Sequence, residues 1–151
     1  MNGEHILVDG YSILHQWDEL KSARLRSLAA GREALILFLT KFHDNHGGKL
    51  TVVFDGRSVP RSGAGVKTDI GILYSREGET ADAVIERMVG QSPHPQNFLV
   101  ATDDHAEQNT VESLGASAIS ADGFHAMIED ELKNSKDVLK QLSLVNRRFS
   151  R

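Results

Sequence analysis

The chain has 151 residues, a formal net charge of −4, 40% hydrophobic and 25% charged residues, and no cysteine. This size and balance describe one folded unit over 1–151 with a frayed end from about residue 143, and they exclude a disordered tail. They also exclude disulfides, thiolate metal sites and cysteine nucleophiles; with no apolar run of roughly 18 residues and no signal-peptide pattern at the N-terminus, a cytoplasmic protein is expected.

Short apolar strands alternate with helical segments, which predicts an α/β fold with a mainly parallel sheet. His5 to Val8 is the first strand, followed by a loop and a polar segment holding Trp17, Leu20, Leu25 and Leu28. Gly31 to about His46 predicts a helix that is apolar nearly all round and therefore buried. Leu50 to Phe54 is the second strand, and 56–68 is a loop rich in glycine, serine and basic residues. Asp69 to Tyr74 is the third strand. From Thr80 onward, Ala81, Val84, Ile85, Met88 and Val89 form one apolar stripe at helical spacing. Phe98 to Ala101 is the fourth strand, Asp104 to Leu114 a helix and Ser117 to Ile119 a short fifth strand. A last helix starts near Asp122, with Phe124, Met127, Ile128, Leu132, Val138, Leu139 and Leu142 on its apolar side.

The acids fall where such folds bind ligands. Asp9 and Asp55 directly follow strands one and two, Asp103 and Asp104 follow strand four, and Asp82 opens the helix after strand three. All lie at the carboxyl edge of a parallel sheet. Each has a local explanation too. Asp82 complements a helix dipole behind a Thr80 cap, Asp104 with Glu107 reads as a capping box, and Asp9-Gly10 and Asp55-Gly56 read as turns. Four such coincidences on one edge favour a shared role. Clustered carboxylates raise one another's pKa and call for a cation. An oxygen-only donor set fits Mg²⁺ or Mn²⁺, which polarises a phosphoryl oxygen and activates water for phosphodiester hydrolysis. Asp103 reads as the solvated member of its pair.

The order of motifs resembles a known family. Ile6-Leu7-Val8-Asp9-Gly10-Tyr11 and Val52-Val53-Phe54-Asp55-Gly56 look like the first two strands of NYN domains. Glu79-Thr80-Ala81-Asp82 and Val100-Ala101-Thr102-Asp103-Asp104, with Glu107-Gln108 one turn on, are similar to segments of the YacP-like branch. The resemblance implies a three-layer PIN-like, Rossmann-like fold and a metal-dependent endoribonuclease, some of whose relatives are ribosome-associated and cut messenger RNA. It implies that Asp9, Asp82 and Asp104 are catalytic metal-binding acids. Asp55 would serve as a further ligand, with Glu79, Thr102, Asp103 and Ser12 in support. Ser12 departs from the family's usual Asn at that place.

Arg57, Arg61 and Lys67 in the glycine-rich loop, with Arg76, are candidate phosphate contacts for single-stranded RNA. Tyr11 and Trp17 are candidate base-stacking residues. His43 and His46, three apart, lack a third nearby ligand and read as surface histidines rather than a zinc pair. His15 and His105 lie near the acidic edge. The main alternative to an enzyme is a degenerate module that holds RNA or a ribosome without cutting it. A receiver domain or aspartyl phosphatase fits less well, because strand three ends in Tyr74-Ser75 and Asp9-Gly10-Tyr11 lacks a second acid.

Overall fold

A computed structural model describes residues 4–56 and 69–134. The strands are β1 (His5–Asp9), β2 (Lys49–Phe54), β3 (Gly71–Tyr74), β4 (Phe98–Ala101) and β5 (Ser117–Ile119). The helices are α1 (Gly10–Gln16), α2 (Lys21–Arg26), α3 (Leu28–His46), α4 (Ala81–Gln91) and α5 (His105–Ser113), followed by α6 over 121–134. All strand pairs are parallel, in the order β3-β2-β1-β4-β5.

Alternation along β1 builds two cores. Ile6 and Val8 join Leu14, Leu35, Leu39, Phe42 and Phe124 on one face. Leu7 joins Val84, Ile85, Val89 and Val111 on the other. Helices α1, α3 and α6 thus cover one face and α4 and α5 the other, the three layers expected. Side chains set the helix starts: Ser27 accepts from Ala30 N, Thr80 from Ala83 N, and Asp104 from Ala106 N and Glu107 N.

Three expectations change. The segment after Asp9 is not a loop but α1, a 3-10 turn and α2. Ile13, Leu14 and Trp17 carry helical spacing and are buried, and Arg24 Nη1 caps the end of α1 by donating to Leu14 O at 3.1 Å and Trp17 O at 3.0 Å. Trp17 is a core residue, 2% exposed, with its Nε1 donating to Ala121 O, so it is closed to bases. Helix α3 is buried on one face only: Leu35, Ile36, Leu39 and Phe42 point inward, whereas Leu37 is 58% exposed. The expected tail and Val138, Leu139 and Leu142 lie outside the described residues, as do Arg57, Arg61 and Lys67.

Candidate metal centre

After β1 the chain builds β2 and β3 to one side, and then crosses back to build β4 and β5 on the other. The carboxyl ends of β1 and β4 therefore flank a topological switch point, where parallel sheets open a crevice. Asp9 ends β1 there. Gly10 then starts α1 against the ring of Phe54, where an added Cβ would lie 2.3 Å from a ring carbon. Only glycine permits that approach, and it keeps Asp9 at the strand end facing the crevice.

Asp9, Asp82 and Glu107 each offer a carboxylate oxygen, and these oxygens lie within 4.8 Å of one another. Three elements deliver them: the end of β1, the first turn of α4 and the first turn of α5. Asp9 is 9% exposed and Glu107 1% exposed. Burial first, and the charge of Asp82 second, push the Asp9 carboxyl up to about 6. Burial, contact with the Asp82 carboxylate and the charge of Asp9 push Glu107 up to about 10.

Thr102 ties the group together. Its Oγ1 lies 3.1 Å from Asp9 Oδ2 and 3.0 Å from Glu107 Oε2, and it accepts from Asp104 N at 3.2 Å. A hydroxyl has one hydrogen and two lone pairs. Its one hydrogen is placed to donate to either Asp9 Oδ2 or Glu107 Oε2, while Asp104 N–H donates to it. Gln108 Nε2 holds the turn by donating to Thr102 O at 2.7 Å. Glu107 Oε1 is sealed from solvent, and among the described residues no group donates a hydrogen bond to it. A buried oxygen left without a donor costs free energy unless a cation or proton takes it up. The site therefore fits a hard divalent cation: three oxygen donors from acids, one of them an orphan, with no sulfur or nitrogen ligand among them.

Asp104 stands differently from the expectation. One of its oxygens caps α5, and it lies on the exposed rim of the same cleft rather than in the three-carboxylate group. The expected capping box is half formed, since Glu107 turns away from Asp104 N and into the cluster. The cleft, about 380 Å³, is lined by Asp9, Tyr11, Ser12, His15, Asp55, Thr80, Ala81, Asp82 and Asp104. Ser12 Oγ accepts from Asp103 N at 2.8 Å, and Ser12 N–H donates to Asp9. Asp103 is half-buried rather than solvated, accepting from Ala121 N at 2.7 Å and fixing the start of α6. Glu79 is outside the cleft lining and pairs with Arg87 at 2.9 Å. Arg76 is exposed, and its N–H donates to Glu79. His105 is exposed at the start of α5.

Glu107 is the residue the local reading missed. Val111, four residues on and fully buried, shares its face of α5, so the packing of that helix on the sheet turns Glu107 inward.

A three-layer parallel α/β sheet with an acid-lined crevice at its switch point fits a PIN-like domain. The chain belongs to the YacP-like NYN domain family, whose profile matches residues 6–150. NYN domains form part of a nuclease superfamily with RNA-related function. The chain is 27% identical over 150 residues to "Uncharacterized protein YacP" of Bacillus subtilis (strain 168), covering 97% of this chain and 79% of that one. It also resembles the crystal structure of Rae1 (YacP) from Bacillus subtilis, at 25% identity and a TM-score of 0.76, covering 96% of this chain and 84% of that one. A mutant form of the same protein gives a TM-score of 0.77 at 25% identity, over 93% and 83% of the two chains.

Proposed function

We propose that this protein is a metal-dependent endoribonuclease that hydrolyses phosphodiester bonds of single-stranded RNA, messenger RNA included, in the cytoplasm and in association with the ribosome. One observation carries the reading: three carboxylates from separate elements converge within 4.8 Å around a sealed, unpartnered oxygen of Glu107. Asp9, Asp82 and Glu107 would hold Mg²⁺ or Mn²⁺, with Asp104 and Asp55 on the cleft wall above them. When bound, such an ion supplies Lewis acidity toward a phosphoryl oxygen and charge stabilisation of the transition state. The chain's own contribution is positional. Thr102 and the Ser12 N–H orient the Asp9 carboxylate, and burial keeps the acids away from competing water. The cleft is open enough for an unpaired strand whose backbone is accessible.

Purified protein with Mn²⁺ should cut single-stranded RNA, and Asp9→Asn should abolish cutting while the melting temperature stays at or above that of the wild type. A second reading, RNA binding without cleavage, draws support from Ser12, whose hydroxyl is already engaged by Asp103 N where the family usually has an amide. Wild-type protein that retains RNA and leaves it intact across Mg²⁺, Mn²⁺ and Co²⁺ would favour this second reading.

A further inference from the structure

A cleft built from carboxylates repels the phosphates of any RNA entering it, so cationic groups at its wall carry weight. Among the described arginines, Arg24 is engaged by main-chain carbonyls and Arg87 by Glu79. Arg32, in α3, is 7% exposed, yet among the described residues no carboxylate lies within ion-pair distance of it. Its hydrogen bond is from Nη1 to the Tyr11 hydroxyl at 3.2 Å. A guanidinium withdrawn from water without an anion is costly. Its other donors are nevertheless not sealed: among the described residues, the buried side-chain polar atoms without partners belong to His43, Glu107 and Glu131. Arg32 lies behind the cleft lining rather than in it, and the Tyr11 that its Nη1 contacts is the lining residue that brings it to the margin of the carboxylate cleft. The Tyr11 ring is fixed in turn against Phe54, with centroids 5.3 Å apart.

We propose that Arg32, presented by the Tyr11 hydroxyl, is a phosphate contact for RNA at the wall of the cleft. This rests on the nuclease reading for the identity of the ligand. A guanidinium offers forked donors that match phosphate oxygens, and an RNA phosphate supplies the anion that the described residues do not. Tyr11 is a positioning residue: it holds the guanidinium near the acids without itself bearing charge.

The test is binding of a labelled single-stranded RNA to protein carrying Asp9→Asn, measured as Kd against KCl concentration. Arg32→Met should weaken binding about tenfold. It should also reduce the slope of log Kd against log salt by about 0.7, the amount of one single-strand phosphate contact. Arg32→Lys should keep the slope and lose a few-fold in affinity, because the fork is gone and the charge remains. Tyr11→Phe should lose a few-fold with the slope unchanged. A folded Arg32→Met protein with unaltered affinity and slope overturns the proposal; if that variant does not fold, unaltered affinity in both Arg32→Lys and Tyr11→Phe overturns it. Weaker binding in the Arg32 variants, with no cleavage by protein retaining Asp9 under any metal, would sink the nuclease reading and leave the phosphate contact standing. Cleavage by protein retaining Asp9, with RNA binding indifferent to Arg32→Met, does the reverse.

Discussion

The two edges of the sheet solve the same electrostatic problem in opposite ways. At the amino edge, His46 sits between Glu4 and Glu131, at 3.1 Å and 2.7 Å. Burial acts to lower the His46 pKa, but the hydrogen bonds and charges of Glu131 and Glu4 outweigh it and the net shift is upward. At the carboxyl edge, Asp9, Asp82 and Glu107 converge within 4.8 Å, and among the described residues no lysine, arginine or histidine pairs with any of them. There burial and mutual repulsion push the Asp9 and Glu107 carboxyls upward, which favours their protonated forms when no cation is bound. A carboxylate group kept to hold structure carries its own counter-charge. One kept for a ligand leaves that place open and is less stable without it.

The contrast breaks most visibly in catalysis. Asp9→Asn should reduce RNA cleavage by at least about a thousandfold, since it disrupts metal and substrate alignment together, whereas His46→Gln should leave the cleavage rate within about twofold. Gel analysis of a labelled oligonucleotide under Mn²⁺ decides both.

Next in size is the response to metal. With Mn²⁺ at about a hundred times its Kd, the native form gains about 2.7 kcal/mol, or roughly 5–10 °C in Tm. Glu107→Gln should remove most of that rise, and Asp104→Asn should keep most of it. A rise lost equally in both would move the ligand role back toward Asp104.

The pH dependence separates the two edges further. Asp9 titrates at 3.8 by its ordinary value and at about 6 in the fold. Its native state thus binds the proton more tightly. Its contribution is present below the unfolded value and is lost as pH rises through about 6. Glu107 extends the same trend toward 10. Metal-free protein should therefore lose stability as pH rises from 4 to 8. Glu107→Gln, which mimics the protonated acid, should melt several degrees higher than the wild type at pH 8. The His46 clamp has the same sign, present below the ordinary histidine value and fading as pH rises through the raised one. His46→Gln should cost only about 1 kcal/mol near pH 6 and less at pH 9, because the clamp is partly exposed.

Much of the carboxyl edge was legible before any coordinates. Asp9, Asp55, Asp82 and Asp104 each follow a strand or open a helix, and all four line one cleft. The parallel direction of the strands follows from the same alternation of elements, whereas the strand order, and with it the switch point, is visible only in the fold. Glu107 was not legible as a cluster member, because D-x-x-E is satisfied locally by a capping box, and only the packing of α5 on the sheet turns that side chain inward. Asp103 looked solvated for a similar reason: its partners, Ser12 and Ala121, are 91 and 18 residues away. Helix α1 was hidden by Asp9-Gly10, which reads as a turn although the glycine is there to clear Phe54. Arg32 carried no sequence signal, since a polar residue in an apolar helix reads as its solvated face.

Titration calorimetry of Mn²⁺ into the protein at pH 7.5, in two buffers of different ionisation enthalpy, tests the carboxylate centre most directly. Saturable binding should appear with proton release, because Glu107 must lose its proton to the buffer for its carboxylate to bind the ion, and it should be lost in both Asp9→Asn and Glu107→Gln. Binding of equal strength in wild type and both variants, or no saturable heat at any Mn²⁺ concentration up to millimolar, would contradict it.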